Sequence, residues 1–174
     1  MSFVGPVLAI LTCLASAVLG AWTYEPYGAE TALSIAMGSA AIVAMSLAMI
    51  LSARPRLIEP FFGGLDRMYV VHRWLGIAAL ALMVGHNLNE VDLEGRVRET
   101  GLGELAEQLG EIAFYSFIGL ILLSWFKYFP FTRLELPWQL WRHSHRLMGV
   151  FFAMAAFHQL LIDKPAGIDG TLAQ

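Results

Sequence analysis

Charge is what this chain has least of. Only 14% of its 174 residues are Asp, Glu, Lys or Arg, while 57% are hydrophobic; soluble domains carry roughly 25% charged residues. Too few charges remain to cover a water-facing surface, which excludes a soluble enzyme and a disordered chain. There is no basic patch of the kind that binds nucleic acid, so no nucleic-acid partner is expected. Cysteine is nearly absent. Cys13 stands alone, which excludes an internal disulfide framework and any four-thiolate metal site; its place in an apolar run reads as inert packing. No phosphate loop is present, no convincing strand, and no Gly-x-Gly-x-x-Gly following one, so these residues are not expected to bind a nucleotide. A polytopic membrane protein is what remains, its length suited to one domain over 1–174.

Five apolar runs approach the roughly 20 residues that carry a helix across the hydrocarbon core: 4–22, 32–53, 69–88, 109–128 and 140–162. Helix satisfies every backbone polar group inside lipid, so the predicted fold is all-α, a polytopic membrane bundle of five transmembrane helices. The first run has no basic segment before it, unlike a signal peptide. Arg54-Pro55-Arg56 closes the second run, Pro130 the fourth and Lys164-Pro165 the fifth. Arg54, Arg56, Arg67 and Arg73 lie between the second and third runs, and Lys127, Arg133, Arg142 and Arg146 between the fourth and fifth, which is eight of the eleven cations. The opposite side has Arg96, Arg98 and Lys164, with seven acids from Glu90 to Glu111. Positive residues favour the inner side, so the N-terminus and the loops 54–73 and 127–146 are expected in the cytoplasm and the C-terminus outside. Trp22, Trp74, Trp125, Trp138 and Trp141 fall near the interfaces, as an aromatic belt does. Leu102, Leu105, Leu109 and Ile112 recur at helical spacing; they read either as a short amphipathic helix leading into the fourth span or as part of a solvated acidic loop. The stretch 54–66, with two prolines and Gly63-Gly64, reads as a turn.

All five histidines, His72, His86, His143, His145 and His158, fall in the third and fifth runs or at their ends. Ionisable side chains at membrane depth are costly and point to function, and neutral imidazole is a common metal ligand. His72 and His86 are fourteen apart. At about 100° and 1.5 Å per residue they share one helix face, within roughly 40°, and lie about 21 Å apart along the axis. One metal cannot bridge that distance, but two sites can, one in each half of the membrane. His145 and His158, thirteen apart, repeat the arrangement, with His143 as a second inner candidate. Two helices, each with an inner and an outer histidine, suit two stacked haems whose irons take one axial imidazole from each side; zinc would want three or four converging ligands. Without Cys-x-x-Cys-His, covalent c-type attachment is excluded. Both helices open alike, His72-Arg73-Trp74-Leu75-Gly76 and His145-Arg146-Leu147-Met148-Gly149. A glycine one turn past the ligand leaves room for a flat macrocycle, and Gly85 does the same beside His86; helix contact through small residues is the alternative. Arg73 and Arg146 stand where inner propionates need cations, and Asn87 and Gln159 where outer ones need donors. Helical arithmetic favours His143 over His145, with an offset from His158 of about 60° against about 140°. The shared His-Arg-x-x-Gly context favours His145.

At these residues the chain resembles the ferric reductase-like transmembrane domain shared by metalloreductases, NADPH oxidases and their bacterial relatives. The resemblance rests on His72-x13-His86 and His145-x12-His158, and on the lead-in Phe61-Phe62-Gly63-Gly64-Leu65-Asp66-Arg67, which is like that of bacterial members. It covers roughly 30–162. It implies two haem b groups, the inner one on His72 and His145 and the outer one on His86 and His158, and the family's thirteen-residue spacing supports His145. It also implies FAD and NAD(P)H on a cytoplasmic domain or partner, membrane lipid around the helices, and an acceptor such as a ferric chelate outside. The location implied is a bacterial inner membrane. The family's sixth span and flavin domains are not in this sequence, which is then either a piece of a longer flavocytochrome or the partner of a separate donor; an electron-carrier subunit linking quinol or a separate flavoprotein to a periplasmic partner is the alternative reading, and a transporter whose histidines bind no cofactor a third. Where NADPH oxidases place a polar histidine one turn past the outer ligand, this chain has Glu90, and its first two runs carry no Arg. Both departures favour a metal chelate or partner protein over oxygen as acceptor.

Overall fold

The computed structural model describes residues 3–89, 93, 97–98, 100–126 and 137–165. Glu90, Arg96, Lys127, Pro130, Arg133 and the tail after Pro165, all of which enter the sequence reading, lie outside the described residues. The architecture is helical, in two compact units that meet in sequence between residues 96 and 97.

In the first unit, α1 (Val4–Tyr24), α2 (Ala29–Ser52), the short α3 (Glu59–Phe62) and α4 (Leu65–Leu88) follow in order. The middle helix, α2, packs against both α1 and α4. It can do so because most of its buried positions are small, Ala32, Ser34, Ala36, Ala40, Ala41, Ala44 and Ala48, with Met45 and Leu51 the large exceptions. Small residues let helix backbones approach closely where lipid supplies no hydrophobic drive. On the α1 side, Gly20 sits so near that a Cβ would come within 2.7 Å of Ser39 Oγ, and Ser39 donates to the Ser16 carbonyl at 3.1 Å. The expected turn over 54–66 is there. Gly63 ends α3 in the left-handed region (φ 77°), its N–H bonded to the Glu59 carbonyl, and Gly64 (φ 115°) leads into α4.

The second unit has α5 (Gly103–Phe126), α6 (Trp138–Arg146), α7 (Met148–Leu161) and a two-residue antiparallel ladder pairing β1 (Val97–Arg98) with β2 (Lys164–Pro165). Beside this ladder, Asp163 Oδ1 accepts from the Thr100 hydroxyl at 2.6 Å and from its N–H at 2.9 Å. These two bonds, the hydroxyl first, hold the Asp163 carboxyl below its ordinary pKa range. Of the stripe Leu102, Leu105, Leu109 and Ile112, the last three lie on helix, for α5 runs unbroken from Gly103 through the fourth span, and Leu102 directly precedes it. Leu102, Leu105 and Ile112 are exposed, however, and Leu109 half-buried, while the buried positions are Ala106, Ala113 and Phe117. Where α5 packs closely the two alanines let the backbones approach, and the exposed leucine and isoleucine side chains are left for lipid.

Among the described residues, four helices are long and apolar enough to cross a membrane: Val4–Tyr27, Ala29–Ser52, Leu65–Leu88 and Gly103–Ser124. Their exposed surface is the chain's large aliphatics, Leu8, Leu11, Leu14, Val18 and Leu19 on α1 among them. The chain is thus an all-α, multi-pass membrane bundle. The fifth run differs from expectation by being two helices. Leu147 N–H bonds three residues back to the Ser144 carbonyl at 3.0 Å, a tightened turn between the polar α6 and the apolar α7. The 14 residues of α7 reach about 21 Å, less than the roughly 30 Å of a hydrocarbon core.

Candidate haem-ligand histidines

Each unit holds two candidate ligands, and each is tied to a helix other than its own. In the first unit, His72 and His86 are half-buried on α4 and both turn toward α2, as their fourteen-residue spacing predicts. His72 Nδ1 donates to the Ala48 carbonyl at 2.8 Å. His86 Nδ1 donates to the Ser34 carbonyl at 2.9 Å, with Ser34 Oγ also 2.9 Å away. A carbonyl oxygen can only accept, so the proton must sit on Nδ1 in both rings and the lone pair on Nε2. That tautomer is the one a metal-binding imidazole needs, and a backbone acceptor on the second nitrogen is the usual means of orienting it.

Ser34 is fully buried, at 0% exposure. Its hydroxyl lies 3.2 Å from the His86 carbonyl and 3.1 Å from that of Asn89. It therefore satisfies carbonyls of the last turn of α4, which have no partner within their own helix. One turn further along α2, a Cβ on Gly38 would stand 3.1 Å from His86 Nδ1. Ring and helix backbone are in contact there.

The second unit repeats this seat. His158 Nδ1 on α7 donates to the Ala106 carbonyl of α5 at 2.8 Å. One turn beyond Ala106, a Cβ on Gly110 would come within 2.6 Å of the same nitrogen. Ser34-x-x-x-Gly38 and Ala106-x-x-x-Gly110 thus each offer a carbonyl and then a gap to an imidazole. His145 on α6 is held differently. Ser124 Oγ donates to the Leu120 carbonyl at 2.9 Å, which uses its one proton. It can then only accept, from His145 Nδ1 at 3.3 Å and Trp141 Nε1 at 3.3 Å. Trp141 also lies over the His145 ring, with centroids 5.1 Å apart and planes at 18°. His143 is exposed, and its Nδ1 bonds the Gln139 carbonyl of its own helix at 2.7 Å. The arithmetic that favoured His143 assumed one helix from 143 to 158, and the break at Leu147 removes that assumption.

The remaining candidates are surface groups. Arg73, Arg146, Asn87 and Gln159 are all exposed. At Gly76, one turn past His72, an added Cβ meets nothing within 4 Å among the described residues outside its own helix turn. Gly85 does not provide the room expected of it, since a Cβ there would come within 2.5 Å of Met37 Sδ; its smallness serves the contact of α4 with α2. Among the described residues, no three His, Cys, Asp or Glu side chains gather as a metal cage. Ser34, Ala48, Ala106, Ser124, Gly38 and Gly110 were not singled out by the sequence. Small residues four apart signal helix contact, but nothing in that signal names a histidine as the partner.

A family model described as the ferric reductase like transmembrane component matches residues 37–156. No curated protein matches the chain closely enough to count as a relative. The matched stretch takes in His72, His86 and His145 and stops two residues short of His158. It covers more than half of the chain, which therefore belongs to the ferric reductase-like transmembrane family.

Proposed function

We propose that this member of the family carries electrons across the membrane through two stacked b-type haems within a single domain. His72 and His145 would hold one haem, and His86 and His158 the other. The observation that carries this reading is the shared state of the four rings: each gives Nδ1 to an oxygen on another helix. A histidine that served only as a polar core residue would not need the same nitrogen engaged four times. The open position at Gly76 adds to the fit, for protein packing does not account for a glycine there.

Haem iron would supply the one-electron exchange between its ferric and ferrous states. The chain's own contribution is positioning and tuning. An acceptor on Nδ1 raises the basicity of the imidazole, which favours ferric iron and lowers the potential. Arg73 and Arg146, each directly after a ligand and exposed, suit propionate carboxylates at the cytoplasmic level. Electrons would enter from a flavin and NAD(P)H domain or protein on that side and leave to a ferric chelate or similar acceptor outside. No side chain here acts as an acid, base or nucleophile.

The test is a reduced-minus-oxidised visible spectrum of detergent-purified protein, with a pyridine haemochrome count. Two low-spin b haems per chain are expected. One haem would make one histidine pair structural. None, in cells supplied with haem, would overturn the reading.

A further inference from the structure

Four Nδ1 atoms are engaged, but not by the same chemistry. His72 and His158 give Nδ1 to backbone carbonyls, those of Ala48 and Ala106. His86 and His145 each meet a serine hydroxyl, Ser34 and Ser124. With the pairing proposed above, on which this inference rests, each haem has one ligand whose Nδ1 meets a backbone carbonyl and one whose Nδ1 meets a serine hydroxyl. We infer that Ser34 and Ser124 are the positioning residues that set the two haem potentials separately, Ser34 for the haem on His86 and Ser124 for the haem on His145.

The proton assignments carry the argument. The Ser124 proton is committed to the Leu120 carbonyl, so its lone pairs face His145 Nδ1 and Trp141 Nε1. The Ser34 proton goes to the carbonyls of His86 or Asn89, so its lone pair is turned to His86 Nδ1 beside that of the Ser34 carbonyl. Both hydroxyls therefore accept from the imidazole and push it toward the more basic, ferric-stabilising form. A backbone carbonyl is present whatever the residue, whereas a hydroxyl belongs to the side chain. Each potential can thus be moved by one residue without rebuilding a helix. Ser124 has a second effect. Together with Trp141, stacked at 5.1 Å, it fixes the ring plane of His145 from edge and face.

The experiment is a spectroelectrochemical titration with low-temperature EPR on Ser34→Ala, Ser124→Ala and the matching Ser→Thr variants. The unsubstituted protein is first shown to hold two haems; if it does not, the functional reading fails and not this inference. Ser124→Ala should raise the midpoint that disappears in His145→Ala and shift the g-value of that signal. Ser34→Ala should keep both haems, because its carbonyl remains, and raise the other midpoint, the one that disappears in His86→Ala. The Thr variants, which retain the hydroxyl, should return both midpoints toward their original values. Both midpoints unmoved in the Ala variants, one and the same midpoint moved by both, or Thr variants that shift as Ala does would each overturn the inference. If an Ala variant fails to fold, the Ser→Cys variant, which replaces the hydroxyl with a sulfur that accepts only weakly, decides in its place: its midpoint should rise, and an unmoved one overturns the inference.

Discussion

Gly110 and His145 show how much of this molecule rests on single atoms. A methyl group at Gly110 would enter the His158 ring, at 2.6 Å from Nδ1. Overpacking of that kind costs about 1–3 kcal/mol, and displacing an orienting contact weakens a metal site roughly 10–100-fold. Gly110→Ala should therefore lose or deplete one haem by haemochrome count. Gly85→Ala should keep both, because what its Cβ meets is the flexible thioether of Met37. The same count separates the two candidates at the inner level. His145→Ala should lose one haem. His143→Ala should retain two, since its Nδ1 bonds only its own helix and its side chain is exposed.

At the scale of elements, α5 shows why a hydrophobic stripe is a poor guide to the buried face of a membrane helix. Its Leu105 and Ile112 are exposed, and Ala113 is 1% exposed. Ala113→Leu should destabilise the packing of α5 on α7 by about 1–3 kcal/mol. Ile112→Ala should be close to neutral in the same detergent thermal-stability assay. The clamp between Thr100 and Asp163 depends on pH. Because the carboxyl is held below its ordinary range, its contribution is whole above the usual Asp value of about 3.9 and is lost as pH falls through the lower folded value. The Thr100 amide resonance should follow that titration, with a midpoint below the ordinary Asp range. In Asp163→Asn it should stay flat.

At the scale of the whole molecule, the charge asymmetry predicts a topology that cysteine labelling can check. In a Cys13→Ser background, Leu102→Cys should react with an impermeant maleimide in intact cells. Leu57→Cys, in the loop rich in arginine, should react only after the membrane is opened; both positions are exposed. Scarce charge and long apolar runs already determined that this is a helical membrane protein, because a continuous apolar run of that length bonds its own backbone in lipid as a helix, whereas barrel strands alternate in polarity. The fourteen-residue spacing likewise determined that His72 and His86 share a face, since the period of a helix is a local property. What the sequence could not decide was whatever depends on a neighbour. The break at Leu147, which separates His145 from the helix of His158, is one such feature. The carbonyls and hydroxyls that receive each Nδ1 are another, because a backbone oxygen has no signature in sequence. Helix packing alone brings Ser34, Ala48, Ala106 and Ser124 to their histidines, and that packing follows from small residues whose partners only the tertiary structure names.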